Sequence, residues 1–522
     1  MAAAHASSQT HAILNLPLGN ASGATNDFSA TARREDAEYR LRDGVLSGRE
    51  SPAGEETPLL RPRASSASTA PKEASELNAS INLVNTIIGA GIVSLPYACA
   101  LTGFASFVAL VAMTQMMTKE TIGWLCKAAD AVGQTTLYAT TRVLLGDYAE
   151  VALRLTVLVN NYGLLIVYLV VGGDVMAGGA GVEEKGLLAQ WFPQTCDVAT
   201  PHWACTREFF TAMLAATLLL PLCSLDNISS LASVSALAVT CTFTFVITCL
   251  FLGVYALATD GAPDTSELWP DVKRFDGSPA VGAVRAILAS VPALVTAFVC
   301  HYNVLLIRSS MGQRDVVEDP SKRDGRVFGR SLGFVGMLYI FVASAGVLYF
   351  GKNVSSDALD EFVFDKLRAA FKYHWLATVV SNIVRMGYAT SLSLTYPLIF
   401  FEMRQSVEGL LSLLVGAPFV ANRPGELTWP EVIRRRLLTV MLIASHGVLA
   451  VVIPNIWVII HFIGSTGAIA IGFLFPAAIH VAANFENYQR GLPKAATSVW
   501  SGRIMFVFGL VVMVFALVEK SS

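Results

Sequence analysis

A Gly-Ala-Gly triplet, Gly89, Ala90 and Gly91, lies in the middle of the first long apolar stretch of the chain, and Pro96 follows it. Glycine and proline interrupt a membrane helix and free backbone groups, which are tolerated only beside a cavity or packed protein. Freed amides carry partial positive charge that suits a carboxylate, and freed carbonyls accept an ammonium. The pattern predicts a discontinuous helix whose exposed amides and carbonyls bind a ligand. The alternative is a small-residue seam against a neighbouring helix.

A second apolar stretch repeats these features five segments later. Pro292 is followed by a cluster of polar residues that ends at Asn303, and carbonyls freed near Phe298 and Val299 are predicted to accept the ammonium. Interrupted segments at equivalent places in two halves point to the central site of a transporter. Because five is an odd number, the second half is inverted in the membrane. The pattern therefore predicts a five-plus-five inverted repeat with one further helix at the end.

Two polar side chains in apolar segments are further candidates for this site. Tyr162, in the third segment, either lines the cavity or hydrogen-bonds to another helix. His301 lies in the second interrupted segment, and ionisable groups inside a membrane are costly and usually functional. Because imidazole changes charge near physiological pH, His301 either relays a proton or acts as a neutral hydrogen-bonding gate residue.

The composition identifies the elements that must hold these residues. The chain has 522 residues, of which 54% are hydrophobic and 15% charged, and a mean hydropathy of +0.54. A helix needs roughly 20 apolar residues to cross a bilayer. Eleven such segments are predicted, at about 81–104, 105–126, 149–177, 207–223, 231–258, 282–307, 331–351, 376–402, 436–453, 456–481 and 502–518. The fold class is therefore an all-α polytopic membrane protein in the lipid bilayer.

The same composition argues against other functional classes. A secreted factor, a nucleic-acid-binding protein and a cytosolic enzyme all need a more polar chain. The sequence shows no nucleophile with a partnering base, no metal-ligand spacing and no phosphate-binding loop. We therefore expect neither an enzyme nor a nucleic-acid partner.

The chain divides into two parts. Residues 1–78 are rich in Ala, Ser, Thr and Gly without a long apolar run, and they predict a disordered tail; residues 79–522 form the membrane domain. Lys and Arg concentrate in loops on the side of the tail, which places the N-terminus in the cytoplasm. With eleven spans the C-terminus would then be lumenal or extracellular.

Two modifications are expected on the far side of the membrane. Cys196 and Cys205 share a long loop there, where the compartment permits a disulfide; two unpaired thiols are the alternative. Asn353 begins an Asn-Val-Ser sequon in another far-side loop, which predicts glycosylation.

The ordered motifs carry a family resemblance. They are Asn85–Ala98 in the first segment, 297–301 in the sixth, 394–397 with Arg404 in the eighth, and 464–467 with Pro476 in the tenth. The first resembles the first helix of the amino acid/auxin permease superfamily. The others resemble its sodium-coupled neutral amino acid transporter and vacuolar amino acid transporter branches. The resemblance spans about residues 78–520 in register with the eleven segments.

The resemblance implies a LeuT-like fold and transport of amino acids coupled to sodium or protons, with no other cofactor. Family pattern would put a sodium ion between the first and eighth helices, at Asn85, Ile88, Ser391 and Thr395. We expect a secondary active transporter of neutral amino acids that works by alternating access. The alternative is an amino acid sensor that signals through its cytoplasmic tail.

One short motif in the tail resembles a sorting signal, which would determine the subcellular location of the protein. Glu55, Leu59 and Leu60 stand at the spacing of an acidic dileucine signal, which clathrin adaptors read for delivery to endosomes, lysosomes or vacuoles. The sequence is compatible with a vacuolar or lysosomal membrane and with the plasma membrane.

Overall fold

A computed structural model describes most of the membrane domain. It covers residues 76–521 except 90, 179–185, 197–201, 226–231, 260–267, 276–277, 312–319, 372, 417–418, 420–427 and 454. The predicted tail up to residue 75 lies outside the described residues. The first described helix begins at Glu76, so the last three residues of the segment predicted to be the tail are helical.

The first half of the described chain is helical. Its helices are α1 (Glu76–Ile87), α2 (Gly91–Thr102), α3 (Phe104–Val132), α4 (Leu137–Leu145), α5 (Asp147–Ala177), α6 (Leu187–Trp191), α7 (Arg207–Leu214), α8 (Leu220–Cys223) and α9 (Ala232–Thr259). A π-helical turn, Ala215–Leu219, joins α7 to α8.

The second half continues in the same way. Its helices are α10 (Pro279–Phe298), α11 (His301–Ser310), α12 (Pro320–Phe350), α13 (Phe364–Ala370), α14 (His374–Val415), α15 (Trp429–Val452), α16 (Ile456–Ile463), α17 (Phe475–Gln489) and α18 (Pro493–Ser521). Two π-helical turns, Gly464–Ala468 and Ala470–Leu474, connect α16 to α17. Turns of this kind often occur at functional sites.

Every predicted apolar segment coincides with a helical stretch. Within the described ranges, seven helical stretches are long and apolar enough to cross a membrane, with α10 and α11 taken as one stretch and α16 and α17 as another. The number is eight if the bent pair α1 and α2 also counts as one span. The predicted segments 105–126, 207–223 and 376–402 are helical too, but they are shorter or more polar than these spans. The count of eleven therefore stays a prediction.

The helices differ in what surrounds them. The helix α5 is buried along most of its length and packs against α14, which also contacts α9. By contrast, α18 exposes Ile504, Val507 and Val514. Exposed apolar side chains on a long helix are expected where lipid is the solvent. The core of the domain therefore lies around α2, α5, α10 and α14, and α18 lies at its edge.

Both predicted interruptions are present in the structure. The helix α1 ends at Ile87 and α2 begins at Gly91 with a bend of 61° between them. The helix α10 ends at Phe298 and α11 begins at His301. Pro292 itself lies inside α10, so the second interruption falls beyond the proline that signals it in the sequence.

Candidate substrate and ion site

The first interruption is a tight turn of backbone. The amide of Ile88 still donates to the carbonyl of Val84 at 2.8 Å, but the amide of Gly89 donates to Ile87 O at 2.9 Å. This short bond closes the end of α1 and turns the chain toward α2. Ala90, which the sequence places in the substrate site, lies outside the described residues.

The two glycines allow other parts of the protein to approach this turn. A Cβ atom on Gly91 would stand 2.8 Å from the Cα of Ala297, at the end of α10. A Cβ atom on Gly89 would stand 2.6 Å from the hydroxyl of Tyr168 on α5. Real Cβ atoms do not approach neighbours so closely. Gly91 therefore allows the backbone of the first interruption to contact the backbone of the second. The broken helix and the small-residue packing seam, which the sequence offers as alternatives, are both present.

Tyrosine hydroxyls meet the carbonyls of the first interruption. The hydroxyl of Tyr339, on α12, lies 2.9 Å from Ile87 O and 2.9 Å from Ala297 O. The hydroxyl of Tyr388, on α14, donates to Gly89 O at 2.9 Å. An unpaired buried carbonyl costs several kcal/mol in a membrane. These tyrosines therefore stabilise the interruption by hydrogen-bonding to carbonyls of its backbone.

The second interruption lies against the first. Val299 and Cys300 are not helical, and the last carbonyls of a helix have no donor within it. Phe298 and Val299 are both buried, and the ring of Phe298 packs edge-on against Tyr339 with 5.2 Å between ring centroids. The structure thus brings the predicted Gly91, Phe298 and Val299 to one place.

Part of the predicted ion site borders a small cavity. Asn85 and Ile88, from the end of α1 and the turn that follows, line a space of about 10 Å³ together with Thr242 of α9. A cavity of this size is about what one water-sized sphere needs. Asn85 is buried. The space is thus small enough for a single water or a bare ion.

The other two predicted ion ligands lie on α14. The hydroxyl of Thr395 donates to the carbonyl of Ser391 at 2.9 Å. The hydroxyl of Ser391 points to α9, where it lies 2.5 Å from the hydroxyl of Thr242 and 2.8 Å from Ala238 O. Thr242 therefore links Ser391 to the cavity of Asn85 and Ile88, and Thr395 extends that chain along α14.

His301 begins α11 and is buried. Its Nε2 atom lies 2.9 Å from the hydroxyl of Thr121 on α3. The same hydroxyl lies 2.9 Å from Met117 O, to which it can donate, so it can accept a hydrogen from Nε2. Within the described part of the chain, Nδ1 has no hydrogen-bond partner. A neutral imidazole with its hydrogen on Nε2 can make this bond to Thr121 and leaves Nδ1 as an acceptor without a donor among the described residues.

Tyr162 packs toward a different helix. Its hydroxyl donates to Ser445 on α15 at 2.7 Å, and its ring lies 4.2 Å from that of His446. This contact agrees with the helix-to-helix alternative that the sequence leaves open. A role for Tyr162 in the substrate cavity stays a prediction.

The remaining predicted residues that the structure describes lie outside the central site. Cys196 and Cys205 are joined in a disulfide. Asn353 follows α12, and its side chain is exposed, so a glycan has access to it. The sorting residues Glu55, Leu59 and Leu60 belong to the tail outside the described residues.

Sequence reasoning missed four residues of this site, namely Tyr168, Thr242, Tyr339 and Tyr388. One signal was present in the sequence, because each tyrosine lies inside an apolar segment and a buried hydroxyl usually finds a partner. Which partner it finds depends on the packing of distant helices, which no local pattern reveals.

Two interrupted helices that meet inside a helical membrane domain define a broken-helix transporter fold, and a solved structure agrees. The crystal structure of MhsT in complex with L-phenylalanine matches with a TM-score of 0.52 and 14% identity, over 85% of this chain and 99% of that one. The chain therefore has a LeuT-like, all-α fold.

The chain belongs to the transmembrane amino acid transporter protein family, whose pattern it matches over residues 72–520. Amino acid transporter AVT6A of Arabidopsis thaliana is 31% identical over 78% of this chain and 81% of its own length. Amino acid transporter AVT6B of the same plant is 30% identical over 78% and 82%. Sodium-coupled neutral amino acid symporter 2 of Danio rerio is 24% identical over 83% and 79%. The protein is thus an integral membrane amino acid transporter and not an enzyme.

Proposed function

We propose that this protein is a secondary active transporter that moves neutral amino acids by alternating access. The contact between the two interruptions carries this proposal, because Gly91 approaches Ala297 and the carbonyls of Ile87 and Ala297 converge on Tyr339. Residues 85–91 and 291–300 contain no charged side chain. Such a site suits a zwitterion whose own side chain is neutral, since a charged side chain would lack a counter-ion.

The two ends of the zwitterion have different partners in this proposal. The amides at the start of α2, beginning at Gly91, would bind the carboxylate, since this helix end carries the positive end of a helix dipole. Gly89 and Ala90 stay predicted members of the carboxylate site. The carbonyls of Phe298 and Val299 accept the ammonium from the other side. Neither group then needs a charged side chain as its partner.

We further propose that the coupling ion is sodium or a proton. For sodium, Asn85 and Ile88 would supply neutral oxygens at the small cavity that Thr242 borders. Ser391 and Thr395 would supply theirs from α14, where the hydroxyl of Ser391 contacts Thr242. The zebrafish relative is named as sodium-coupled, which supports this choice. For a proton, His301 is the candidate carrier, and in the sodium case it acts as a neutral gate residue beside Thr121.

The location in the cell is a separate proposal. Glu55, Leu59 and Leu60 would bind a clathrin adaptor and direct the protein to a vacuolar or lysosomal membrane, with the tail in the cytoplasm. Asn353 would carry a glycan on the lumenal side. Replacing both leucines by alanine should move a tagged protein to the plasma membrane; an unchanged distribution would remove the sorting proposal.

Uptake into proteoliposomes tests the function directly. Purified protein is reconstituted, and labelled L-alanine, L-glutamine, L-leucine, L-phenylalanine, L-lysine and L-glutamate are supplied with a sodium gradient or a pH gradient alone. We expect gradient-driven accumulation of at least one neutral amino acid, with little for lysine and glutamate. Vesicles without protein and vesicles whose gradients are collapsed by ionophores serve as controls. Accumulation that is the same with and without either gradient would contradict coupled transport.

A further inference from the structure

The hydroxyl of Tyr339 occupies an unusual position between the two interruptions. It lies 2.9 Å from Ile87 O, at the end of α1, and 2.9 Å from Ala297 O, near the end of α10. The side chain is fully buried. A phenol has one hydrogen to donate, whereas two carbonyl oxygens stand at hydrogen-bond distance from it.

The atoms around this hydroxyl include more hydrogen-bond acceptors than donors. Ile87 O also accepts the amide of Gly89 at 2.9 Å, which fills one of its two lone pairs. Among the described residues, Ala297 O has no donor from its own helix, because the chain leaves the helical conformation at Val299 and Cys300 and the hydrogen bond from four residues further on is not formed. Within the part of the chain that the structure describes, three buried oxygens, those of Ile87, Ala297 and Tyr339, therefore share two hydrogens, from the Gly89 amide and the Tyr339 hydroxyl.

A group with several hydrogens and a positive charge would complete this cluster. The primary ammonium of an amino acid has three donors and no acceptor. Hydrogen bonds in which the donor is charged are shorter and roughly twice as strong as neutral ones. By contrast, a neutral donor such as water would bring a further oxygen into a cluster that already has too many acceptors.

We propose that Tyr339 positions the substrate's ammonium by holding the carbonyls of Ile87 and Ala297 together and by offering its own oxygen to that group. This inference rests on the proposed transport function and deepens it. Tyr339 is a positioning residue of the site, since it fixes the distance between two backbone acceptors that belong to different helices.

Replacing Tyr339 by phenylalanine removes the hydroxyl and keeps the ring that packs against Phe298. We expect the KM for the transported amino acid to rise about tenfold, equivalent to about 1.4 kcal/mol, while kcat stays within about twofold. The probe is the neutral amino acid that the wild type takes up fastest in the uptake panel.

Tyr349→Phe is the matched control. Tyr349 lies on the same helix, α12, and its buried hydroxyl has no hydrogen-bond partner among the described residues. Its loss should leave KM and kcat unchanged. Equal effects of the two substitutions would overturn the proposal, because a general disturbance of α12 would then explain both.

Competitors that lack one charged group test the chemistry. The methyl ester of the substrate keeps the ammonium, and the corresponding desamino acid keeps only the carboxylate. Tyr339→Phe should weaken inhibition by the amino acid and by its ester about tenfold, and should leave inhibition by the desamino acid unchanged. An equal loss for all three, or a change confined to the sodium half-saturation, would contradict a role at the ammonium.

The result also separates this inference from the transport proposal. Wild-type protein that fails to accumulate any amino acid under either gradient contradicts the proposed function itself. Wild-type protein that transports, together with Tyr339→Phe protein of unchanged KM, contradicts only the role of Tyr339.

Discussion

At the scale of single residues, Asp357 is a carboxyl group outside the membrane spans that is buried in the folded protein. It lies between α12 and α13. Burial raises its pKa well above the ordinary value, and the nearby Asp360 raises it further, although the amide of Leu359 donates to it at 2.9 Å. The folded state therefore keeps a proton that the unfolded state releases. Stability should fall as pH rises from about 3.9, the unfolded pKa, toward the folded pKa.

Asp357→Asn removes this titration. The amide oxygen of asparagine can still accept the Leu359 hydrogen bond, so the loop keeps its conformation. We expect the variant to lose the pH-dependent decrease, so that its melting temperature falls less than that of the wild type between pH 5 and pH 7.5. Glu486→Gln, at an exposed side chain, is the control and should keep the wild-type difference. An undiminished difference in Asp357→Asn would contradict this assignment.

Thr395 gives a second prediction at this scale. Its hydroxyl is buried and donates to Ser391 O, next to the hydroxyl that contacts Thr242. If these oxygens hold sodium, Thr395→Ala should raise the half-saturation for sodium about tenfold, and more than it raises the KM for the amino acid. Thr378→Ala is the control, since Thr378 makes the same type of bond on an exposed turn of α14. An unchanged sodium dependence would remove the sodium site.

At the scale of helices, the meeting of α2 with α10 depends on one missing side chain. A Cβ atom on Gly91 would stand 2.8 Å from the Cα of Ala297 and 2.9 Å from its Cβ. Because the nearest obstacle is backbone, no rotamer change relieves it. Gly91→Ala should therefore push the two interrupted helices apart and widen the cluster around Tyr339.

We expect Gly91→Ala to lower kcat/KM at least tenfold, since a misplacement of about 1 Å can cost a hundredfold where geometry is pre-organised. The protein should still assemble, as judged by size-exclusion chromatography. Gly123→Ala is the control, because a Cβ atom on Gly123 meets nothing within 4 Å. If Gly91→Ala takes up the amino acid with the kcat/KM of the wild type, the close contact of these helices is dispensable.

These helices also show how far sequence reasoning reaches. The Gly-Ala-Gly triplet predicts the first interruption, because the sequence displays directly where side chains are missing, and at Gly89 and Gly91 other parts of the protein approach the backbone. Pro292 predicts which segment contains the second interruption but not its place, since α10 accommodates the proline and ends at Phe298. The partners of Tyr339 and Tyr388 could not be predicted, because they belong to helices far away in the chain.

At the scale of the whole molecule, the proposed alternating access would require α11 to separate from its neighbours on one side of the membrane. Arg308, in the last turn of α11, donates to both carboxylate oxygens of Asp130 on α3 at 2.6 and 2.8 Å. It also donates to Asp324 on α12 at 2.6 Å. One guanidinium therefore joins three helices, and bidentate pairs of this kind are among the stronger polar contacts.

Arg308→Gln should weaken this junction and populate the conformation that is open on that side. Cys300 supplies a native reporter, since its thiol lies at the second interruption and is fully buried in this structure. We expect N-ethylmaleimide to label Cys300 about tenfold faster in the variant, because a loss of about 1.4 kcal/mol shifts a two-state equilibrium tenfold. Mass spectrometry of the peptide that contains Cys300 measures the rate.

Arg490→Gln separates this effect from a general loss of charge. Arg490 pairs with Glu486 one turn away on α17, and both side chains are more than two-thirds exposed, so their pair should contribute little. Labelling of Cys300 should then proceed at the wild-type rate in Arg490→Gln. If Arg308→Gln also labels at that rate, the ion pairs of Arg308 do not hold the closed conformation, and α11 must be retained by apolar packing instead.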